Sequence, residues 1–302
     1  MINWPTVFVV GAGASVDYDL PLGSVLVELI VDGLSTTGFL RKPLLEAGFR
    51  LGDLETFADR LKRSDLDSID AFLEGNEVQF TEIGKAAIAS AILFRERDSR
   101  GHLFTARRND HWLRYLWGVM KSQADTASFA DNKISFVTFN YDRLIEYYFE
   151  TVLQTTFNLK RDDARELRDR TMQIVHLHGS IVGRDFGDYS HPLSGEVVQE
   201  IASGIRVVHD EIPRGDEVFQ IAYELFKSAK RVCFLGFGYH PVNIVRLQLN
   251  SLLGNKAQLT GTAYGLGQAE VEMAKKRVGR DFITGGRDEK VERFLRERVP
   301  LE

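Results

Sequence analysis

One transition recurs along the chain. A run of β-branched and aromatic residues stops abruptly in glycine, asparagine or histidine. Thr6–Val10 (TVFVV) leads into Gly11-Ala12-Gly13-Ala14-Ser15, and 134–139 (ISFVTF) leads into Asn140-Tyr141-Asp142. Residues 173–177 (QIVHL) lead into His178-Gly179-Ser180, and Arg231–Leu235 (RVCFL) into Gly236-Phe237-Gly238-Tyr239. A further run at 257–266 contains Gly261, Thr262, Ala263, Tyr264 and Gly265. Unbroken apolar runs of this kind suit strands buried on both faces. Helical patterns lie at about 143–153, 216–229, 243–252 and 268–278, with a charged amphipathic helix at 288–299. The alternation predicts an α/β fold, a parallel sheet with helices on both faces. Ligands bind such sheets at the carboxyl ends of the strands.

Residues 40–125 break the alternation. Patterns at 53–63, 65–74, 79–97 and 110–123 all read as helices, with Asp65, Ser68 and Asn109 suited to cap them. The expected layout is one domain over 1–302. Its core takes in about 1–35 and 130–302, and a helical module is inserted at about 40–125. Residues 183–213 have no clear periodicity and read as a long irregular loop beside the site.

Composition narrows the function. The 302 residues are 44% apolar and 27% charged, as in a folded protein. The longest apolar runs, Thr6–Val10 and 86–94, are far shorter than the roughly 20 residues of a membrane span. The first residues lack the pattern of a secretory signal. Cys233 is the single cysteine, so neither an internal disulfide nor a four-cysteine zinc ribbon can form. These features lead us to expect a cytoplasmic protein. The net charge of −5 argues against holding nucleic acid by bulk charge.

The strand ends carry the candidate chemistry. Gly11 to Ser15 reads either as a tight turn or as a phosphate loop whose following helix presents N–H groups. The match to G-x-G-x-x-G is incomplete, because Val16 stands at the third glycine. A dehydrogenase would need a second strand ending in an acid. Residues 25–32 with Asp32 could supply one, although Leu22, Leu26, Leu29, Ile30 and Leu34 also form a helical stripe. Asn140 and Asp142 stand two apart at a strand end, where Asp142 also suits a helix cap. His178 can act as a base or be a buried, satisfied histidine, and Gly179 would keep the approach to a ligand open. His176 would share its face if the strand continued, but a third metal ligand at familiar spacing is missing, so no metal is expected. Gly236 and Gly238 form a second glycine-rich end, and the helix from Asn243 could aim donors at an anion.

In order, GAGAS, TFNYD, HLHGS and LGFGY resemble the sirtuin (Sir-two) superfamily. The likeness is greatest to bacterial sirtuin-like proteins that lack a zinc ribbon and act as NAD⁺ hydrolases in anti-phage defence. Residues 68–73 (SIDAFL) are similar to that branch as well. The resemblance implies a Rossmann-like sheet with NAD⁺ as substrate and no zinc. Gly11, Ala12, Gly13 and Ser15 would line the phosphates. Asn140 and Asp142 would hold the nicotinamide-side ribose and a water, and His178 would be the catalytic histidine. Gly236 and Gly238 would contact the other half of the dinucleotide. The chain departs from sirtuin deacylases in three places. Asp17-Tyr18-Asp19-Leu20-Pro21 replaces their Asp-Phe-Arg element, Phe139 replaces the usual Gln, and the zinc cysteines are missing.

The implied activity is NAD⁺ glycohydrolysis (EC 3.2.2-type), releasing nicotinamide and ADP-ribose. Because the ring is already cationic it leaves as a neutral base, without the protonating acid of ordinary glycosidases. The family also implies control by a homo-oligomer or a partner such as a HerA-type ATPase or a short Argonaute. No membrane or direct nucleic-acid binding is expected. The alternatives are NAD-dependent protein deacylation and a non-catalytic subunit that binds NAD or ADP-ribose.

Overall fold

The computed structural model describes residues 1–74, 78–101, 103–104, 111–181, 193–207, 215–279 and 281–301. Asn109 and much of 183–213 lie outside them. The strands are β1 (Thr6–Val10), β2 (Ile134–Thr138), β3 (Met172–His176), β4 (Arg231–Leu235), β5 (Gln258–Gly261) and β6 (Ile283–Thr284). They form one parallel sheet in the order β3-β2-β1-β4-β5-β6. The fold is α/β and Rossmann-like. From β1 the chain builds outward through β2 and β3, then returns to the other side of β1 for β4. That reversal opens a crevice above the ends of β1 and β4, the usual ligand position in such sheets.

Helices surround the sheet. Near the amino terminus are α1 (Gly23–Gly33), α2 (Arg41–Glu46), α3 (Leu51–Arg63), α4 (Ile69–Leu73) and α5 (Val78–Ser99). Then come α6 (Trp112–Lys121), α7 (Leu144–Phe157), α8 (Arg161–Thr171) and α9 (Gly195–Ala202). The last are α10 (Glu217–Ser228), α11 (Pro241–Leu247), α12 (Leu249–Leu252), α13 (Gln268–Val278) and α14 (Val291–Arg298).

Alternation along β1 divides the core. Phe8 and Val10 face a layer containing Trp112, Leu116, Phe149 and Phe294. Val7 and Val9 face Phe219, Phe226, Leu247 and Val278. Each of these four strand side chains is buried, which explains a run with no polar position. Burial of Phe8 stabilises the sheet by about 1.5–3 kcal/mol.

A third core belongs to the helical module. Leu26 and Ile30 of α1 pack with Phe57, Phe72, Ile83, Val198 and Ile201. Three expectations change here. Residues 25–32 lie in α1, so the helical stripe prevails over a second strand and Asp32 does not end a dinucleotide-binding strand. The 183–213 loop contains α9, a short helix capped by Ser194 that buries Val197, Val198 and Ile201 in the module. Helix α6 packs on the sheet layer rather than in the module, because Trp112, Leu113, Leu116 and Met120 face Phe8 and Phe136.

Candidate active site

The ends of β1 to β4 meet at one rim, and two cavities open there. The first, about 790 Å³, is lined by Gly11, Asn140, Asp142, His178, Gly238 and Asn243 among others. The second, about 480 Å³, is lined by Gly13, Asp17, Gly236, Thr262, Tyr264 and Lys290 among others. Ala12, Leu22, Phe237, Gly238 and Leu266 belong to both walls, so the two cavities adjoin along the rim.

The turn after β1 is not the expected helix entrance. Two 3₁₀ turns, Ala12–Ala14 and Val16–Tyr18, follow the strand, and α1 starts only at Gly23. The N–H of Gly11 donates to Leu235 O, and that of Gly13 to Gly236 O, each at 3.0 Å. Those of Ala14 and Ser15 donate back to Gly11 O and Ala12 O, also at 3.0 Å. Four donors of the glycine turn are thus committed to protein carbonyls. Trp112 of α6 fixes the turn further, its Nε1 donating to Ala14 O at 2.7 Å.

The glycines at this rim serve different ends. Gly236 adopts φ +56°, and a Cβ there would lie 1.9 Å from Ala14 N. The turns after β1 and β4 therefore pack backbone on backbone. A Cβ on Gly238 would meet nothing within 4 Å, so this glycine borders open space. Gly179 does not clear room for a ligand, as its place after His178 suggests. It adopts φ +71°, and a Cβ there would lie 1.9 Å from Gly204 O, so its role is close packing on the segment after α9.

The loop after β2 is bonded throughout. Thr138 Oγ1 donates to Val10 O at 3.2 Å and accepts from Asn140 N at 3.0 Å. Asn140 Nδ2 donates to Ser15 Oγ at 3.0 Å, and Ser15 Oγ donates to Asp142 Oδ2 at 3.1 Å. Ser15, expected at the phosphates, is buried and lines neither cavity; it holds Asn140 and Asp142 instead. Asp142 Oδ1 accepts from Leu144 N at 3.2 Å, the expected bond at the start of α7. Burial, reinforced by the Glu96 carboxylate, raises the Asp142 carboxyl to about 6.

The helical module grips the same loop. Glu96 of α5 accepts from Arg143 N at 2.7 Å and pairs with Arg143 Nη2 at 2.7 Å. Their side chains are 0% and 8% exposed. Tyr141 Oη donates to Asp70 Oδ1 of α4 at 3.0 Å.

The two histidines have separate places. His176 ends β3, with Nδ1 2.9 Å from Asn140 O and Nε2 2.7 Å from Glu146 Oε1. Burial pushes its imidazolium down, but the Glu146 carboxylate and these bonds carry it up to about 9. As a cation His176 donates to both oxygens and braces the Asn140 backbone. The strand stops there, and a turn carries His178 against Phe139, edge to face at 5.0 Å between centroids. His178 is 4% exposed and lines the first cavity with Asn140. The rim thus brings together Asn140, Asp142 and His178, with Gly11, Ala12, Gly13, Gly236 and Gly238 along the groove.

Three wall residues escape sequence reasoning. Lys290 and Asp17 meet at 2.9 Å in the second cavity, and Asn243 lines the first. Lys290 sits in a charged helical stretch with no motif to mark it. Asn243 reads in the sequence as the start of a helix that could aim donors at an anion, yet α11 begins at Pro241 and it is Asn243 itself that lines the cavity. Among the described residues, no group of three or more His, Cys, Asp or Glu side chains could hold a metal ion. Among the same residues, no helix is long and apolar enough to cross a membrane.

Residues 134–258 match the family model for a SIR2-like domain. The match runs from β2 to the start of β5 and includes Asn140, Asp142, His178, Gly236 and Gly238. It supports an NAD-dependent enzyme in general. No curated protein matches the chain significantly.

Proposed function

From the premise that this chain carries a SIR2-like domain of the sirtuin superfamily, we propose that it is an NAD⁺ glycohydrolase. The observation that carries the reading is the shared wall of Asn140 and His178 in a cavity that adjoins a second at Gly238. A groove of two lobes suits a dinucleotide. The nicotinamide ribose takes the first cavity and the adenosine the second.

The charge on the first wall supports this orientation. Asp67, Asp70, Glu74 and Asp142 all line it. Four carboxyl groups favour a cationic nicotinamide ring and the oxocarbenium-like centre that forms as it leaves. In the proposed step, water attacks the anomeric carbon from the face opposite the ring. The carbon–nitrogen bond breaks, its electron pair neutralises the ring nitrogen, and nicotinamide departs. His178 takes the proton from the water and Asn140 orients water and ribose, leaving ADP-ribose. Ser15 and His176 hold Asn140 from its side chain and its carbonyl, so the carboxamide is positioned before substrate arrives. An unrestrained activity of this kind would exhaust the NAD⁺ of its own cell. The proposal therefore includes restraint by an oligomer or partner and a role as an effector of anti-phage defence.

The test incubates the protein with NAD⁺, alone and with candidate partners, and separates the products. Equal amounts of nicotinamide and ADP-ribose are expected, and His178→Ala lowers the rate by about 10²–10⁴-fold. NAD⁺ cleavage only in the presence of acyl-lysine peptides, with one nicotinamide released for each acyl group transferred to ADP-ribose, would replace this reading with the deacylase. NAD⁺ binding without turnover in every combination would replace it with a regulatory subunit.

A further inference from the structure

We propose that Lys290, at the start of α14, grips the diphosphate of the bound dinucleotide, giving up its ion pair with Asp17 to do so. The assignment rests on the groove reading above and extends it to a residue outside the matched domain.

Three observations converge on Lys290. First, it lines the second cavity with Gly13 and Gly236, beside the walls shared with the first. The middle of a ligand that spans both cavities passes there. Second, among the described residues lining either cavity it is the only lysine or arginine. The first wall carries four carboxyl groups, so an unneutralised diphosphate would face a net negative groove. Third, four N–H groups of the glycine turn, those of Gly11, Gly13, Ala14 and Ser15, already donate to protein carbonyls, which leaves the turn fewer donors for a diphosphate. A side-chain cation adds to what a helix entrance supplies in other nucleotide folds.

The pair is built to exchange. Lys290 Nζ lies 2.9 Å from Asp17 Oδ1, with side chains 40% and 21% exposed. The pair is only part-buried, so it is held less firmly than a fully buried one, and a phosphate contact would offset its loss. The ammonium sits on a flexible stem and swings from a carboxylate to a phosphate without backbone movement. Asp17 thereby keeps Lys290 at the groove wall in the empty protein.

The test is calorimetric titration of the full chain with ADP-ribose at low and high ionic strength, for the wild type, Lys290→Gln and Lys290→Arg. The glutamine variant is expected to bind about tenfold more weakly at low ionic strength. Its affinity should lose most of the wild-type salt dependence. The arginine variant keeps both. Unchanged affinity in Lys290→Gln overturns the assignment while leaving the dinucleotide groove in place. Equal loss in both variants also overturns it, since the position would then act through packing. Failure of the wild type to bind ADP-ribose overturns the groove reading and this assignment together.

Discussion

The two halves of the groove are built differently. In the first cavity the polar groups of the β2 loop are bonded to each other or to the helical module, and the wall is acidic. In the second, the wall is largely glycine, alanine, leucine, phenylalanine and tyrosine, with one exchangeable ion pair. The first half is preorganised, as bond cleavage requires, because reorganising dipoles during the reaction would add to the barrier. In the proposed reading the second half would select by shape and by a single cation. The proposed function would thus divide chemistry and recognition between the ends of β2 and β3 and the ends of β4 and β5.

Three perturbations sharpen that contrast. The largest effect is expected at the seam. Gly236→Ala places a Cβ at φ +56°, 1.9 Å from Ala14 N, so the turns after β1 and β4 must part. ADP-ribose binding should be lost in calorimetry. Gly238→Ala, where a Cβ meets nothing within 4 Å, should leave stability within about 0.5 kcal/mol of wild type. Equal behaviour of the two would contradict the backbone-packing role of Gly236.

Next comes the clamp on the first half. Glu96→Ala leaves Arg143 without its buried carboxylate and should cost about 3–5 kcal/mol. That corresponds to a fall in Tm of about 5–8 °C by scanning calorimetry. The double change Glu96→Leu with Arg143→Leu should retain more stability than Glu96→Ala, because no charge stays buried alone. It should still slow NAD⁺ cleavage, since the loop bearing Asn140 and Asp142 loses its anchor. A double variant with wild-type turnover would show that the clamp serves stability only.

The smallest effect is a pH dependence. His176 is raised to about 9 in the fold, while in the unfolded chain it titrates near 6.5. Between those values the native state keeps a proton that the unfolded state has released, so stability falls as pH rises from about 6.5 to 9. The loss should be roughly 1–3 kcal/mol in urea titrations. Glu146→Gln removes the carboxylate that holds the proton and should flatten the slope. A slope that persists in the variant would assign it to another group.

Much of this is legible in the sequence. β1 and β4 have the same bounds in sequence and structure, because after a polar first residue, Thr6 or Arg231, strands buried on both faces show an unbroken apolar run. Asn140 and His178 can be placed at one rim because parallel strands deliver their carboxyl ends together. Other elements leave weaker traces. Helix α8 (RDDARELRDRT) buries only Ala164, Leu167 and Thr171, too thin a stripe to notice. β6 has two residues and exists by pairing with β5. The glycine turn passes for a helix entrance because glycines that admit a phosphate and glycines that admit a neighbouring backbone look alike in sequence. Only contacts distinguish them, and here Gly236 is the contact. Lys290 is invisible for a related reason: a lysine in a charged helix acquires meaning only from the cavity it faces.

The central claim is that one dinucleotide lies across both cavities with its nicotinamide ribose between Asn140 and His178. A crystal structure of the His178→Ala variant soaked with NAD⁺ tests it most directly. The account predicts nicotinamide ribose against the Asn140 carboxamide, adenosine beside Thr262 and Tyr264, and the diphosphate within reach of Lys290. NAD⁺ bound with its adenosine beside Asn140, or outside the groove altogether, would contradict it.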